Sequence, residues 1–369
     1  SLLVGTDTTG TLSSADGNTG VGTGVLAALT SGDDNVAVGL NALNDITTGD
    51  GNVAIGLETL AKATTADDLT AVGRCALEAN TSGTENTSVG AYAMRENTTG
   101  DKNTALGYAA LQVNLSADQN TGVGYFALNA NTTGDCNTAV GKGSLDSNTT
   151  GTRNVAVGGE ALGANTTASF NNALGYKALC SNTTGASNIA IGTCSMRINT
   201  TGGSNVAVGD KALCANTTGA QITTVGANAL TANTEGHSTV AVGYEALAAN
   251  TTAAYNVAVG HRSLKTNTTG ASNVAIGRQA LLDNTTGKCN IAIGASALAN
   301  NTTADNNTSI GTNSMEVNTT GADNTAVGFN SLDANTTGTD GSALGSSALT
   351  ANTTGNSNTA IGRLSLTAN

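Results

Sequence analysis

The chain reads as an all-β protein, a parallel β-solenoid (β-roll) of about 22 turns with 17 residues per turn, and three observations carry that reading. First, a Val-Gly, Ile-Gly or Leu-Gly pair recurs every 17 residues from Gly5 and Gly22 through Gly345 to Gly362, without insertion or deletion. A fixed period of this length is the signature of a stacked repeat architecture. Second, the residues before each pair alternate in the manner of a short strand: Asn-(Thr/Val)-Ala-(Val/Ile)-Gly. Third, a chain of 369 residues with 48 Gly, no Pro and 2% aromatic residues lacks the large side chains that fill an ordinary globular core.

With the Val-Gly glycine as position zero, each part of the turn has its own rule. Minus one is always Val, Ile or Leu, and minus two is nearly always Ala, with Gly20, Gly122, Ser88, Ser309 and Thr224 as small exceptions. Alternation then places minus three and minus one on one face and Asn, Ala and Gly on the other. The hydrophobicity of Val and Ile predicts that their face is the core, opposite a ladder of Leu or Met at plus four. A second short extended segment is expected around plus three to plus seven, and a Thr-Thr-Gly bend returns the chain to the next Asn. At about 4.8 Å per strand, 22 turns predict a rod roughly 100 Å long.

Position plus seven divides the array. The whole of 1–369 reads as one continuous repeat, in which 1–79 carry Leu12, Leu29, Ile46 and Ala63 there and 80–369 carry Asn. A slot that accepts Leu, Ile and Asn points inward. Asn80, Asn97, Asn114, Asn131, Asn148, Asn165, Asn182, Asn199, Asn216, Asn250, Asn267, Asn284, Asn301, Asn318, Asn335 and Asn352 are therefore expected to form an internal amide ladder. The same residues are formal N-glycosylation sequons if they face water. The chain starts and stops inside a repeat, which predicts an ordered segment of a longer protein.

If Val and Ile face inward, Ala and Gly make a flat outer stripe without charge. Ala139, Ala156, Ala190, Ala207, Ala241, Ala258 and Ala275 are then the candidate interface with neighbouring chains. The run Asn-Thr-Ala-Val-Gly-x-x-Ala-Leu resembles the repeats of trimeric autotransporter adhesin heads, and more closely the Asn-Thr-Ala-(Val/Ile)-Gly…Asn-Thr-Thr-Gly arrays of phage-type tail-fibre proteins. The resemblance covers the whole chain. It implies a multi-chain fibre, a trimer, and an extracellular, cell-surface or virion-surface location.

Chemistry is sparse. A net charge of −12 excludes nucleic acid as a partner, and no apolar run is long enough for a membrane span. His237 and His261 stand on separate turns with no nucleophile or carboxylate set beside them, and no phosphate-loop pattern occurs. No enzyme, catalytic residue, metal site or cofactor is expected. A Ca²⁺ site at the early acidic loops (Asp16, Asp33, Asp34, Asp50, Asp67, Asp68) is the weaker alternative to a solvated acidic edge. The six cysteines follow no disulfide framework. The expected function is a stiff spacer and assembly scaffold in a surface filament, adhesin stalk or tail fibre, partnered with itself and with a surface ligand bound outside this segment. The alternative is a repetitive ice-binding or glycan-binding surface, or a glycosylated fibril.

Overall fold

Positions minus three to minus one are β-branched or small, suit an extended pleat, and form a three-residue strand in turn after turn, as in Thr138–Val140 and Val257–Val259. The computed structural model describes residues 2–5 and 14–368; Leu12 and Asn369 at plus seven lie outside the described residues. The chain divides into two units, Ser1–Ala186 and Ser187–Asn369. The first runs from β1 (Leu2–Val4) to β11 (Asn172–Leu174), the second from β12 (Ile189–Ile191) to β22 (Thr359–Ile361). Within each unit every strand pairs in parallel with the next at an offset of one repeat: Ala139 lies against Ala156, and Ala241 against Ala258. Each unit is thus an all-parallel β-solenoid of eleven strands.

The faces of the strand are the reverse of the expectation from hydrophobicity. Ala139, Ala156, Ala190, Ala207, Ala241, Ala258 and Ala275 are fully buried within the single chain, so they line the core and are not an outer stripe. Val and Ile at minus three and minus one face outward, and Ile55, Val155, Ile191, Val225 and Ile293 are exposed. The reason is the thinness of the coil. A Cβ added at Gly122, a minus-two position, would stand 3.2 Å from Leu111 Cγ and 3.2 Å from the Ala127 carbonyl oxygen. From Gly20 onward no minus-two residue is bulkier than Thr, which matches the narrow space between that wall and the Leu column. The first described turn shows the compensation: Leu3 Cδ2 lies 2.8 Å from where a Gly20 Cβ would be. Gly at zero is fixed by the turn itself; at Gly73, with φ +134°, a Cβ would come within 2.6 Å of the Gly90 carbonyl oxygen.

The second segment is a turn ribbon and not a strand. Its backbone has positive φ at plus two and plus four, as at Cys75 (54°) and Leu77 (52°). Alternating the sign of φ points successive N–H groups to opposite sides. Cys75 N–H donates back to the Leu57 carbonyl (2.8 Å), and Leu77 N–H donates forward to the Ala93 carbonyl (3.1 Å). A left-handed Leu costs about 1–2 kcal/mol. Full burial of the side chain, worth about 1.5–3 kcal/mol, together with that hydrogen bond offsets it.

This geometry predicts opposite outcomes for adjacent residues. Ala207→Leu overpacks the interior and should lower stability by about 1–3 kcal/mol or more. Val208→Thr, on the outer face, should leave the unfolding free energy from a urea titration within about 0.5 kcal/mol of wild type. Equal effects would contradict the assigned faces.

Candidate functional site

Two asparagine ladders dominate the interior. At plus seven, the Asn216 amide nitrogen donates to Asn199 Oδ1 (2.7 Å) and to the Gly219 carbonyl of its own turn (2.9 Å), while its oxygen accepts from Asn233 (2.9 Å). The same bonds recur in the first unit, where Asn97 reaches Asn80 (2.8 Å) and Asn148 reaches Asn131 (2.8 Å). The column of Asn80, Asn97, Asn114, Asn131, Asn148, Asn165 and Asn182 is fully buried, as is that of Asn199 to Asn335. Both amide hydrogens and the oxygen are occupied inside the fold. These sequons therefore present no amide to a glycosylating enzyme once the chain is folded. Leu29, Ile46 and Ala63 fill the same buried slot in the early turns.

Sequence reasoning missed the second ladder, at minus four. Asn35 N–H donates to Asn18 Oδ1 (2.9 Å), and the Asn35 amide nitrogen donates to the Gly49 carbonyl (2.9 Å). The plus-ten carbonyl joins the two columns: Gly100 O accepts from Asn86 (2.7 Å) and from Asn97 (3.1 Å). The near-constant Asn at minus four was the available signal. Hydrophobicity places this Asn on the outer face with Ala and Gly, whereas the column is buried. Where Leu69 or Ile222 replaces Asn, its backbone N–H still donates to Asn52 Oδ1 (3.1 Å) or Asn205 Oδ1 (3.0 Å).

The outer edges carry ladders too. Asp33, Asp50 and Asp67 each accept the backbone N–H of the preceding turn, at 2.7, 2.7 and 2.8 Å from Asp16, Asp33 and Asp50. The acidic loops thus complete the backbone's hydrogen bonding, and no group of three metal-ligating side chains occurs among the described residues. The Thr hydroxyl at plus eight donates to the equivalent carbonyl of the next turn, as Thr132 does to Thr149 (3.0 Å), which leaves plus nine as the exposed threonine. His237 packs edge-on to Tyr255 and His261 stacks on Tyr244, on separate turns. None of the six cysteines is joined in a disulfide among the described residues; burial, with Glu78 beside it, pushes the Cys75 thiol up. No helix is long and apolar enough to cross a membrane among the described residues.

Charge pairs also follow the stacking. Glu245 accepts from Lys265 (2.7 Å) and from Arg262 (2.9 Å) one turn on. Lys265, with Tyr244 and Arg262 also donating hydrogen bonds, holds its carboxyl at about 2, below the usual 4.5. A depressed carboxylate pKa stabilises the fold above the unfolded value, and the gain is lost as pH falls from 4.5 towards 2. At this solvent-screened site the effect is small.

No protein-family model matches the chain, and no curated protein matches it. The parallel all-β solenoid fold is consistent with β-solenoid fibre proteins in general.

The ladders predict an ordered series at one position. Asn216→Leu leaves the facing Asn199 and Asn233 groups unpaired and should cost about 1–3 kcal/mol. Asn216→Asp also buries a charge and should cost about 3–5 kcal/mol at neutral pH. Its folded pKa is raised above the unfolded one, so the deficit should shrink as pH falls below that folded value. Urea titrations at pH 7 and pH 4 check both statements. Thr224 supplies the opposite case: it is a buried hydroxyl without a hydrogen-bond partner in a slot that is Ala in neighbouring turns. Thr224→Ala should raise stability by about 1 kcal/mol.

Proposed function

We propose that the chain is a structural shaft, a stiff spacer and assembly scaffold in an extracellular fibre built from several copies of itself. The observation that supports this most directly is the stacking. Among the described residues, turn after turn is tied to the next by the same backbone bonds, joined in most turns by asparagine bonds, so adding turns adds length and little else. The outer minus-one column of Val, Ile and Leu supplies the contact between copies, flanked by Val, Ile or Thr at minus three in most turns. Both columns are uncharged, and Ile189, Ile191, Ile291 and Ile293 remain open to solvent in the single chain. Another copy repeats at the same spacing, so each row meets an equivalent row along the whole face. Three copies is the number favoured by the resemblance to trimeric adhesin heads and tail fibres.

Ice binding is the weaker reading. The plus-eight hydroxyls are engaged with the backbone, and the exposed threonines are divided between plus nine, beside the bend, and a minus-three column that Val, Ile, Asn and Ser interrupt.

Replacing Val242 and Val259 with Lys puts charge into the proposed contact while leaving the Ala column untouched. Sedimentation should then show a smaller species with turn-to-turn structure retained. An unchanged sedimentation coefficient overturns the assembly reading. Deleting two whole repeats should shorten the particle in proportion and leave the melting of the remaining turns within a few degrees.

A further inference from the structure

Nine aromatic side chains serve the whole chain, 6 Tyr and 3 Phe, and four of them form one cluster on the outer face of the first unit. Tyr108 and Tyr125, at plus one of successive turns, stack at 5.4 Å, and Phe126 meets Tyr125 edge-on at 4.4 Å. Tyr92 closes the group against Tyr108 at 5.8 Å. Immediately beyond Tyr125 and Phe126 the surface drops into a cleft of about 420 Å³, floored by Gly143 and Gly163 and flanked by Asp146, Ser147 and Glu160. That volume lies in the range of small-ligand sites.

The glycines that open this cleft are not demanded by the backbone. Gly143 stands at plus two with φ +62°, a position where Phe126, Glu160 and Lys177 adopt φ of 55°, 57° and 56°. A Cβ at Gly143 would meet only Glu160 Cγ, at 3.9 Å, and one at Gly163 would have its nearest neighbour at 3.4 Å. Side chains fit at both places, and their absence makes the hollow. Asp146 is half-buried beside it and makes no ion pair among the described residues. Burial pushes its carboxyl above the usual range, as for a group lacking a partner.

We propose that this cleft is a binding site for a neutral saccharide. Sugars of this class carry an apolar face of C–H groups and a rim of hydroxyls. The half-exposed Tyr125 ring, with a negative π-face, takes the first, and Asp146, Ser147 and Glu160 take the second. Asp146 and Glu160 outnumber Lys142 in the lining. Although Lys177 pairs with Glu160 at 3.4 Å, Asp146 has no cation paired with it among the described residues; with an overall charge of −12 this disfavours acidic sugars. The site is local: it occupies residues 125–181 and owes nothing to the repeated part of the turn.

The test presents the whole chain to a printed panel of neutral and acidic oligosaccharides built from hexose and N-acetylhexosamine units. The strongest binder is then titrated by calorimetry. The expected result is retention of at least one neutral glycan, weakened tenfold or more by Gly143→Gln, which fills the hollow, and by Tyr125→Ala. Circular dichroism melts of both variants should match the wild type, which separates a lost site from a lost fold. No neutral glycan retained, acidic glycans alone retained, or equal binding by Gly143→Gln would each overturn the proposal.

Discussion

The distance between the Ala wall and the Leu column governs this architecture. Because a minus-two side chain meets a plus-four Leu and a plus-three carbonyl almost at once, the interior holds one methyl per turn there. That constraint selects Ala on the inside of the strand and expels Val and Ile to the outside, against their hydrophobicity. It also explains why Ser88 is tolerated: its hydroxyl turns onto the Ala93 carbonyl at 2.9 Å. A coil this thin buries little apolar surface, so polar ladders share the interior with the Leu column. Asparagine suits that role because its amide bonds above, below and within its own turn.

Much of the fold was legible from spacing alone. The period, the parallel register and the inward position of the plus-seven asparagines follow from Gly5 to Gly362 and from Leu29 and Ile46 standing where Asn later stands. What could not be read was parity. A strand of three residues has one central residue and two flanks, and Val206-Ala207-Val208 suits either face by pattern. Hydropathy favours Val inside; only the separation from the opposing Leu decides, and that separation is set by the turn ribbon. The ribbon was itself hidden, because positive φ at Leu213 or Leu247 has no sequence signature when the usual Gly or Asn is absent. The minus-four ladder went unread for the same reason.

The candidate sites divide along the same line. Features that recur in register over successive turns, such as the Asn columns and the Asp16–Asp67 edge, serve the stack. Departures from the repeat are where recognition can reside. Gly143, Gly159 and Gly163 fall within two turns, next to the four-ring aromatic cluster, and the cleft lies there. In an array whose scaffold positions tolerate so little change, the variable outer loop is free to carry chemistry without disturbing the ladders beneath it.

The assignment of faces is tested most directly by thiol accessibility. In separate proteins, Ala241→Cys and Val242→Cys would each be exposed to a maleimide under native conditions and mapped by peptide mass. Cys is close in size to Ser88, so the Ala slot can hold it. The account predicts rapid native labelling at position 242, and labelling at position 241 only after denaturation. Native labelling at 241 with protection at 242 would contradict it.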